Sequence, residues 1–403
     1  MTAFASLAVP NFRRWFVGQT LSSIGAWFHT LALALVALDL TGRGTALGVI
    51  VALGWLPLLV AGSHAGALLD RRDLRRVLIA TNAVDTALAT GLVVVAATGR
   101  LSMSWLGAFS LAFGIVLAVE RPATMLIPVE LVPPDLVSNA LGLNSMTLSL
   151  ARLLGPALAG ITLMLTGPAW CFAANAASYV VALVSVARLD VSALFPRPLG
   201  EGGRGLVREG FAYLAGRPQL RSVLVANAVM GVLAFNSLVV LTAVARLRYG
   251  GGGLAVGVTH AANAAGAVAG GALAGAALSR LSRRLDRVCL ALGGSMAAIA
   301  LAPTLGLFVA LGPLLGLTLV AHQAAVLDAC HRLARPDMLG RIVSLVTLGA
   351  QGTTPIGSVI MGVVIDAWSP QAALWVGAAS CAVGAGILAA GSPTLDRLSV
   401  DRA

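Results

Sequence analysis

The sequence predicts an all-α, polytopic membrane protein with twelve transmembrane helices in two pseudo-symmetric six-helix bundles. Three observations predict it. Only 11% of the 403 residues are charged and 58% are hydrophobic, against about 25% charged in a soluble domain. Apolar runs recur along the whole chain, and a helical run of roughly 18 residues or more can cross the hydrocarbon layer. Landmarks of the first half return in the second at a near-constant spacing. The alternating ten-residue segments of a β-barrel are missing.

The spans read as 14–38, 45–69, 76–97, 103–128, 139–165 and 169–188, then 221–245, 254–279, 286–306, 308–331, 341–366 and 370–391. Gly and Pro clusters such as Thr41-Gly42-Arg43-Gly44 and Pro133-Pro134 separate most of them. The longest polar stretch, 189–220, carries Pro196, Pro198 and Gly200-Glu201-Gly202-Gly203. It divides the chain into an N-terminal six-helix half (1–188), a cytoplasmic linker (189–220) and a C-terminal six-helix half (221–403).

The halves look duplicated. At an offset of 202, Gly114 matches Gly316, Pro134-Asp135 matches Pro336-Asp337, Gly155 matches Gly357 and Gly160 matches Gly362. Pro168 and Pro370 open spans six and twelve. At an offset of 209, Gly66-Ala-Leu-Leu-Asp70-Arg71-Arg72-Asp73-Leu74-Arg75-Arg76 has a damaged copy running from Gly275 to Arg284, in which Asp70 has become Ser279. Parallel six-helix halves are a transporter architecture, with the substrate path between them.

The net charge is +11 and every basic residue is arginine. The arginines fall in short segments between spans, which speaks for membrane orientation and against nucleic acid. One side collects Arg71, Arg72, Arg75, Arg76 and the linker arginines, and the other holds only Arg43, Arg100, Arg246 and Arg248. The positive-inside rule then places both termini in the cytoplasm, in a multi-pass protein of the inner (plasma) membrane. No cleavable signal is apparent. Cys171, Cys289, Cys330 and Cys381 form no CxxC pair and read as packing residues. The histidines have no metal-ligand spacing, and no Walker motif or catalytic arrangement stands out. The expectation is a protein that is not an enzyme, holds no metal or cofactor, and works as a monomer in the bilayer.

The 66–76 segment resembles the signature loop between spans two and three of the major facilitator superfamily, matching at Gly66, Asp70, Arg71 and Arg75. Asp73 stands where that pattern has glycine, and Leu74 where a basic residue is common. Asn11-Phe12-Arg13, Leu40-Thr41-Gly42, Val129-Glu130-Leu131-Val132-Pro133, Asn139-Ala140-Leu141 and Leu339-Gly340-Arg341-Ile342 resemble the drug, macrolide and siderophore exporter branch. Arg152-Leu-Leu-Gly155-Pro156-Ala-Leu-Ala159-Gly160 belongs to the same set. Its Gly155, Pro156 and Gly160 resemble a helix-kink motif of proton-driven antiporters, with Ala159 replacing a second glycine. A plain structural kink is the competing reading. The resemblance implies that Gly66, Asp70, Arg71 and Arg75 form a conformational latch favouring the outward-facing state. Arg341 is a candidate neighbour of Asp70.

Ionisable groups inside spans cost several kcal/mol and are functional candidates by default. At about 1.5 Å per residue, Asp85, Glu120, Arg121 and Arg152 share one layer of the N-terminal half. They sum to zero charge, with Glu120 and Arg152 the preferred pair. Such a network can carry protons, and a permanent ion pair tying spans three, four and five together is the competing reading. His322 occupies the repeat position of Glu120 and suits proton exchange or a hydrogen-bonded cavity role. Asp328 reads as a partner of Arg332 at i+4. Trp27, His29 and Phe235 are candidates for the substrate path. The expected function is export of an amphipathic small molecule, a drug-like natural product or siderophore, by proton antiport with alternating access. An importer of the same fold, or a non-transporting sensor or scaffold, is the alternative.

Overall fold

The computed structural model describes residues 4–69, 72–195, 206–282, 284–335 and 338–391. Every regular element among them is helical. Hydrocarbon offers no partner to a backbone N–H or carbonyl, so an apolar chain of this kind satisfies its backbone within helices.

The first six long helices are α1 (Pro10–Thr41), α2 (Gly44–Leu69), α3 (Leu74–Ala97), α4 (Met103–Leu131), α5 (Val137–Thr166) and α6 (Pro168–Ala187). A short helix α7 (Leu206–Ala215) follows. Then come α8 (Pro218–Leu233), α9 (Ser237–Ala243), α10 (Gly253–Ser282), α11 (Leu285–Ala300) and α12 (Leu305–Leu333), and finally α13 (Leu339–Gln351), α14 (Thr354–Ala367) and α15 (Pro370–Gly391). Ten segments among the described residues are long and apolar enough to cross a membrane: α1, Gly44–Ala61, α3, α4, Pro134–Thr166, α6, Pro218–Arg248, α12, Leu339–Ala367 and α15.

Local chemistry sets the ends. Pro168 and Pro370 are the first residues of α6 and α15, where a missing N–H does no harm. Gly42 ends α1 in the left-handed region, with its N–H on the Leu38 carbonyl at 2.7 Å. Asp73, in place of the expected glycine, caps α3 by accepting from the Arg76 N–H at 3.1 Å.

Two expected spans are each broken. In 221–245, the Asn236 side-chain amide donates to the Val232 carbonyl at 2.7 Å, taking the acceptor that its own backbone N–H would use in a helix. In 341–366 the chain breaks at Gly352-Thr353, where Pro355 removes a backbone donor from the following turn. The 189–220 linker is also more ordered than polar composition suggests. It contains α7, whose Tyr213 hydroxyl accepts from the Arg335 N–H at 2.9 Å. Within the linker, residues 196–205 lie outside the described residues, as does Pro336-Asp337 of the repeat.

By its contacts the chain separates into two compact units. The first holds Met1–Gly42, Val49–Gly202 and Gly251–Ala261, and the second holds Arg43–Gly48, Gly203–Gly250 and Ala262–Ala403. In the first unit, one apolar cluster gathers Phe12, Trp15, Leu74, Leu78, Ile127 and Leu143. Another gathers Leu33, Val36, Ile50, Leu92, Leu106 and Phe172. Asp85 and Glu120 lie between these clusters along α3 and α4. The motif residue Asn11 ties the start of α1 to the chain beyond α6, exchanging hydrogen bonds with the Asp190 carbonyl (2.9 Å) and N–H (3.0 Å).

The repeat is visible as packing within each unit. Gly114 of α4 lies against the Gly54 carbonyl of α2, and its repeat mate Gly316 of α12 lies against the Asn263 carbonyl of α10. Gly54 and Asn263 are themselves 209 residues apart. A Cβ on Gly114 would fall 2.5 Å from the Gly54 oxygen. Gly114→Ala should therefore lower stability by about 1–3 kcal/mol, seen as a lower apparent melting temperature in detergent. Gly142→Ala, where a Cβ meets nothing within 4 Å, should leave that temperature unchanged.

Candidate functional site

The charged layer of the first unit is built by α3, α4 and α5. Asp85 of α3 is only 2% exposed, and its carboxyl lies beside that of Glu120 on α4. Tyr179 of α6 is the near neighbour of both acids. Arg121 turns elsewhere, with its guanidinium 5.4 Å from the centre of the Trp55 ring and within electrostatic range of Arg152. The expected Glu120–Arg152 pair is not among the ion pairs of the described residues. The reason is angular. Neighbouring helix positions point about 100° apart, so α4 presents its acid to α3 and its arginine to α2 and α5. Like sits with like, and acid and base form two separate clusters.

Aromatic rings lead away from the acid pair. Phe113 is 6.3 Å from Tyr179 and 4.5 Å from His29, which in turn is 6.0 Å from Phe172. The Nδ1 atom of His29 is buried without a hydrogen-bond partner. Sequence reasoning missed Tyr179, Trp55 and the fully buried Asn175 as members of this cluster. An available signal was Asn175 and Tyr179 one turn apart in a largely apolar span. Trp27 packs on Gly155, where a Cβ would come within 2.7 Å of it, and its ring is 6.3 Å from His260. Next along α5, the Pro156 carbonyl meets Gly257, and a Cβ on Gly160 would lie 2.8 Å from the Gly253 carbonyl. The Gly155, Pro156 and Gly160 set thus works as a close-packing surface.

His322 belongs to the second unit and is 1% exposed. Its Nδ1 is 3.6 Å from the Cys289 Sγ, its ring is 5.7 Å from Phe235, and its Nε2 is buried without a partner. Cys289 and Phe235 are therefore its surroundings, although it holds the repeat position of Glu120. A Ser295–Thr318 hydroxyl pair at 2.9 Å lies one helical turn away. Asp328 pairs with Arg332 at 2.6 Å, as the i+4 spacing suggests. The four cysteines are free and buried.

Of the signature loop, Asp70 and Arg71 lie outside the described residues, and Gly66 falls in the last turns of α2. Arg75 donates from Nη2 to the Ala187 carbonyl at 2.6 Å. Arg341 pairs with Glu209 of α7 at 3.0 Å, a partner hidden from sequence reasoning because 189–220 read as linker.

Comparison with known proteins adds the family. A family described as transmembrane secretion effector matches residues 1–397. The macrolide efflux protein A of Streptococcus pyogenes is 22% identical over 364 residues, covering 87% of this chain and 88% of that protein. The staphyloferrin A transporter of Staphylococcus aureus is 25% identical over 173 residues, 42% of this chain and 43% of the other. Among solved structures, the nucleoside transporter NupG aligns with a TM-score of 0.75 at 12% identity, covering 96% of this chain and all of that one (100%). A bacterial homologue of the iron transporter ferroportin in its inward-facing state aligns with a TM-score of 0.73 at 14% identity, covering 95% and 99%. These likenesses agree with the duplicated helical bundles and with relatives that are transporters and not enzymes. The chain belongs to the transmembrane secretion effector family of major facilitator superfamily transporters.

Proposed function

We propose that this integral membrane transporter exports amphipathic small molecules, a drug-like natural product or a siderophore, from the cell in exchange for protons. The Asp85–Glu120 carboxyl pair carries the reading. Two carboxyls in contact can share a proton, and gaining or losing it changes the charge of the layer by one. With Arg121 turned to Trp55 and neither acid among the ion pairs of the described residues, no guanidinium competes directly for that position. Tyr179, Phe113 and His29 extend from the pair as an aromatic wall suited to an amphipathic substrate. Substrate and proton then exclude one another through the same acids, giving each conformation the differential affinity that coupling requires.

In this reading α10 and α11 complete twelve spans, both termini face the cytoplasm, and 189–220 joins two six-span halves. The halves alternate access by rocking about a midplane site. The signature loop with Gly66, Asp70, Arg71 and Arg75 latches one state, and Arg341 is anchored by Glu209 of α7. The protein sits in the plasma membrane as a monomer and contributes to drug resistance or iron acquisition. The likeness to a macrolide efflux protein and a staphyloferrin A transporter supports this range of substrates.

In inverted vesicles, Asp85→Asn or Glu120→Gln should reduce pH-gradient-driven accumulation of a macrolide or siderophore probe by about tenfold or more. Exchange of labelled for unlabelled probe without a gradient should persist. Normal gradient-driven accumulation in both variants would remove the acid pair from coupling. Because Arg152 is not paired with Glu120, Arg152→Gln should keep its response to an imposed gradient. A loss equal to that of Glu120→Gln would restore the ion-pair account.

A further inference from the structure

At the end of α2 opposite the 66–76 loop, one carboxylate gathers the first two residues of the helix. Asp366, near the C-terminus of α14, accepts from the Gly44 N–H at 2.5 Å through Oδ1 and from the Thr45 N–H at 3.0 Å through Oδ2. The Thr45 hydroxyl donates to Oδ2 as well. The Arg43 Nε lies 3.7 Å from the same oxygen. The Asp366 side chain is 18% exposed, against 71% for Arg43, so the backbone donors, not the arginine, are its enclosed partners. A helix N-terminus leaves its first N–H groups unsatisfied and carries positive potential. Here two of those groups are met by an acid 321 residues or more away in sequence.

The backbones close tightly beneath the cap. Gly48 rests on the Ser358 carbonyl, and a Cβ on Gly362 would lie 2.6 Å from the Gly44 carbonyl. The repeat contains the same seam on α5 and α10. Gly253 and Gly257 stand 209 residues after Gly44 and Gly48, and they meet Gly160, Leu163 and the Pro156 carbonyl. Those partners stand 202 residues before Gly362, Ile365 and Ser358. By the same spacing the counterpart of Asp366 is Met164. One seam therefore has an acid clamp, and its sister has the packing without the clamp.

We propose that Asp366 is a second conformational latch, holding the first turn of α2 closed against α14 at the end opposite the signature loop, in only one of the two related seams. It rests on the Asp366 bonds to Gly44 and Thr45 and on the close approach of Gly48 to Ser358 and of Gly362 to Gly44. A transporter that opens its path at this end must draw that turn from α14 and leave the carboxylate and two N–H groups to water. The latch makes that state less populated. Asp366 acts by position and need not touch substrate.

The test is a distance measurement on the full chain in liposomes without substrate, so its outcome is independent of the export reading. Nitroxide labels at Val49 and Val363, exposed positions on α2 and α14, report opening, and the native cysteines are buried. Asp366→Ala should raise the ratio of long to short distances by about tenfold. Thr45→Val, which removes one of the donors, should shift it less in the same direction. Met164→Ala should leave the distribution as in the parent. A parental distribution in Asp366→Ala overturns the latch. If that variant does not fold, Asp366→Asn decides: a longer-distance shift supports the latch, and a parental distribution overturns it.

Discussion

Helices already surrounded by hydrocarbon gain nothing by hiding apolar side chains from it. What holds them together is close contact, and close contact needs small residues. The contacts of Gly114 with Gly54 and of Gly160 with Gly257 are therefore the framework on which the other features depend. They bring backbones near enough for a side-chain carboxylate to reach a neighbouring helix end. They also keep α2, α4 and α5 near enough for Arg121 to reach Trp55 and lie near Arg152. Because such seams are held by shape and a few polar groups, they can part along their length without unfolding either helix.

The duplication is preserved in the packing and lost in the acids. The glycines that meet backbone recur at both offsets. Asp70, Glu120 and Asp366 have become Ser279, His322 and Met164. A charge near or within the bilayer is expensive unless a local partner meets it, and the surroundings of these positions differ between the two units. Glu120 has a second carboxyl and a tyrosine beside it, whereas His322 has a thiol and a phenyl ring. The two units thus share a scaffold and differ in chemistry.

The acid layer shows the limit of depth arguments. Counting residues along the helices places Asp85, Glu120, Arg121 and Arg152 at one level, and neutrality then suggests ion pairs. Depth carries no information about which way a helix is turned. The 100° between Glu120 and Arg121 sends them to different neighbours, and only the rotation of α4 against α3 and α5 decides which. The result changes the arrangement, from a cancelled charge to two neighbouring carboxyls.

Length, composition and spacing by themselves determined that this chain is a duplicated helical membrane protein, because hydrocarbon leaves so few solutions to an apolar chain. They also singled out Asp85, Glu120, Arg121 and Arg152, since charge in an apolar span is conspicuous. The α6 members Asn175 and Tyr179 escaped notice because uncharged polar residues are ordinary in such helices. The anchoring of the linker helix at Arg335 and Arg341, the hold of the Asn236 amide on the Val232 carbonyl, and the reach of Asp366 to Gly44 were decided only by the tertiary structure. Each depends on a donor and an acceptor far apart in sequence or on a competition for one carbonyl, and neither is written in the local pattern of residues.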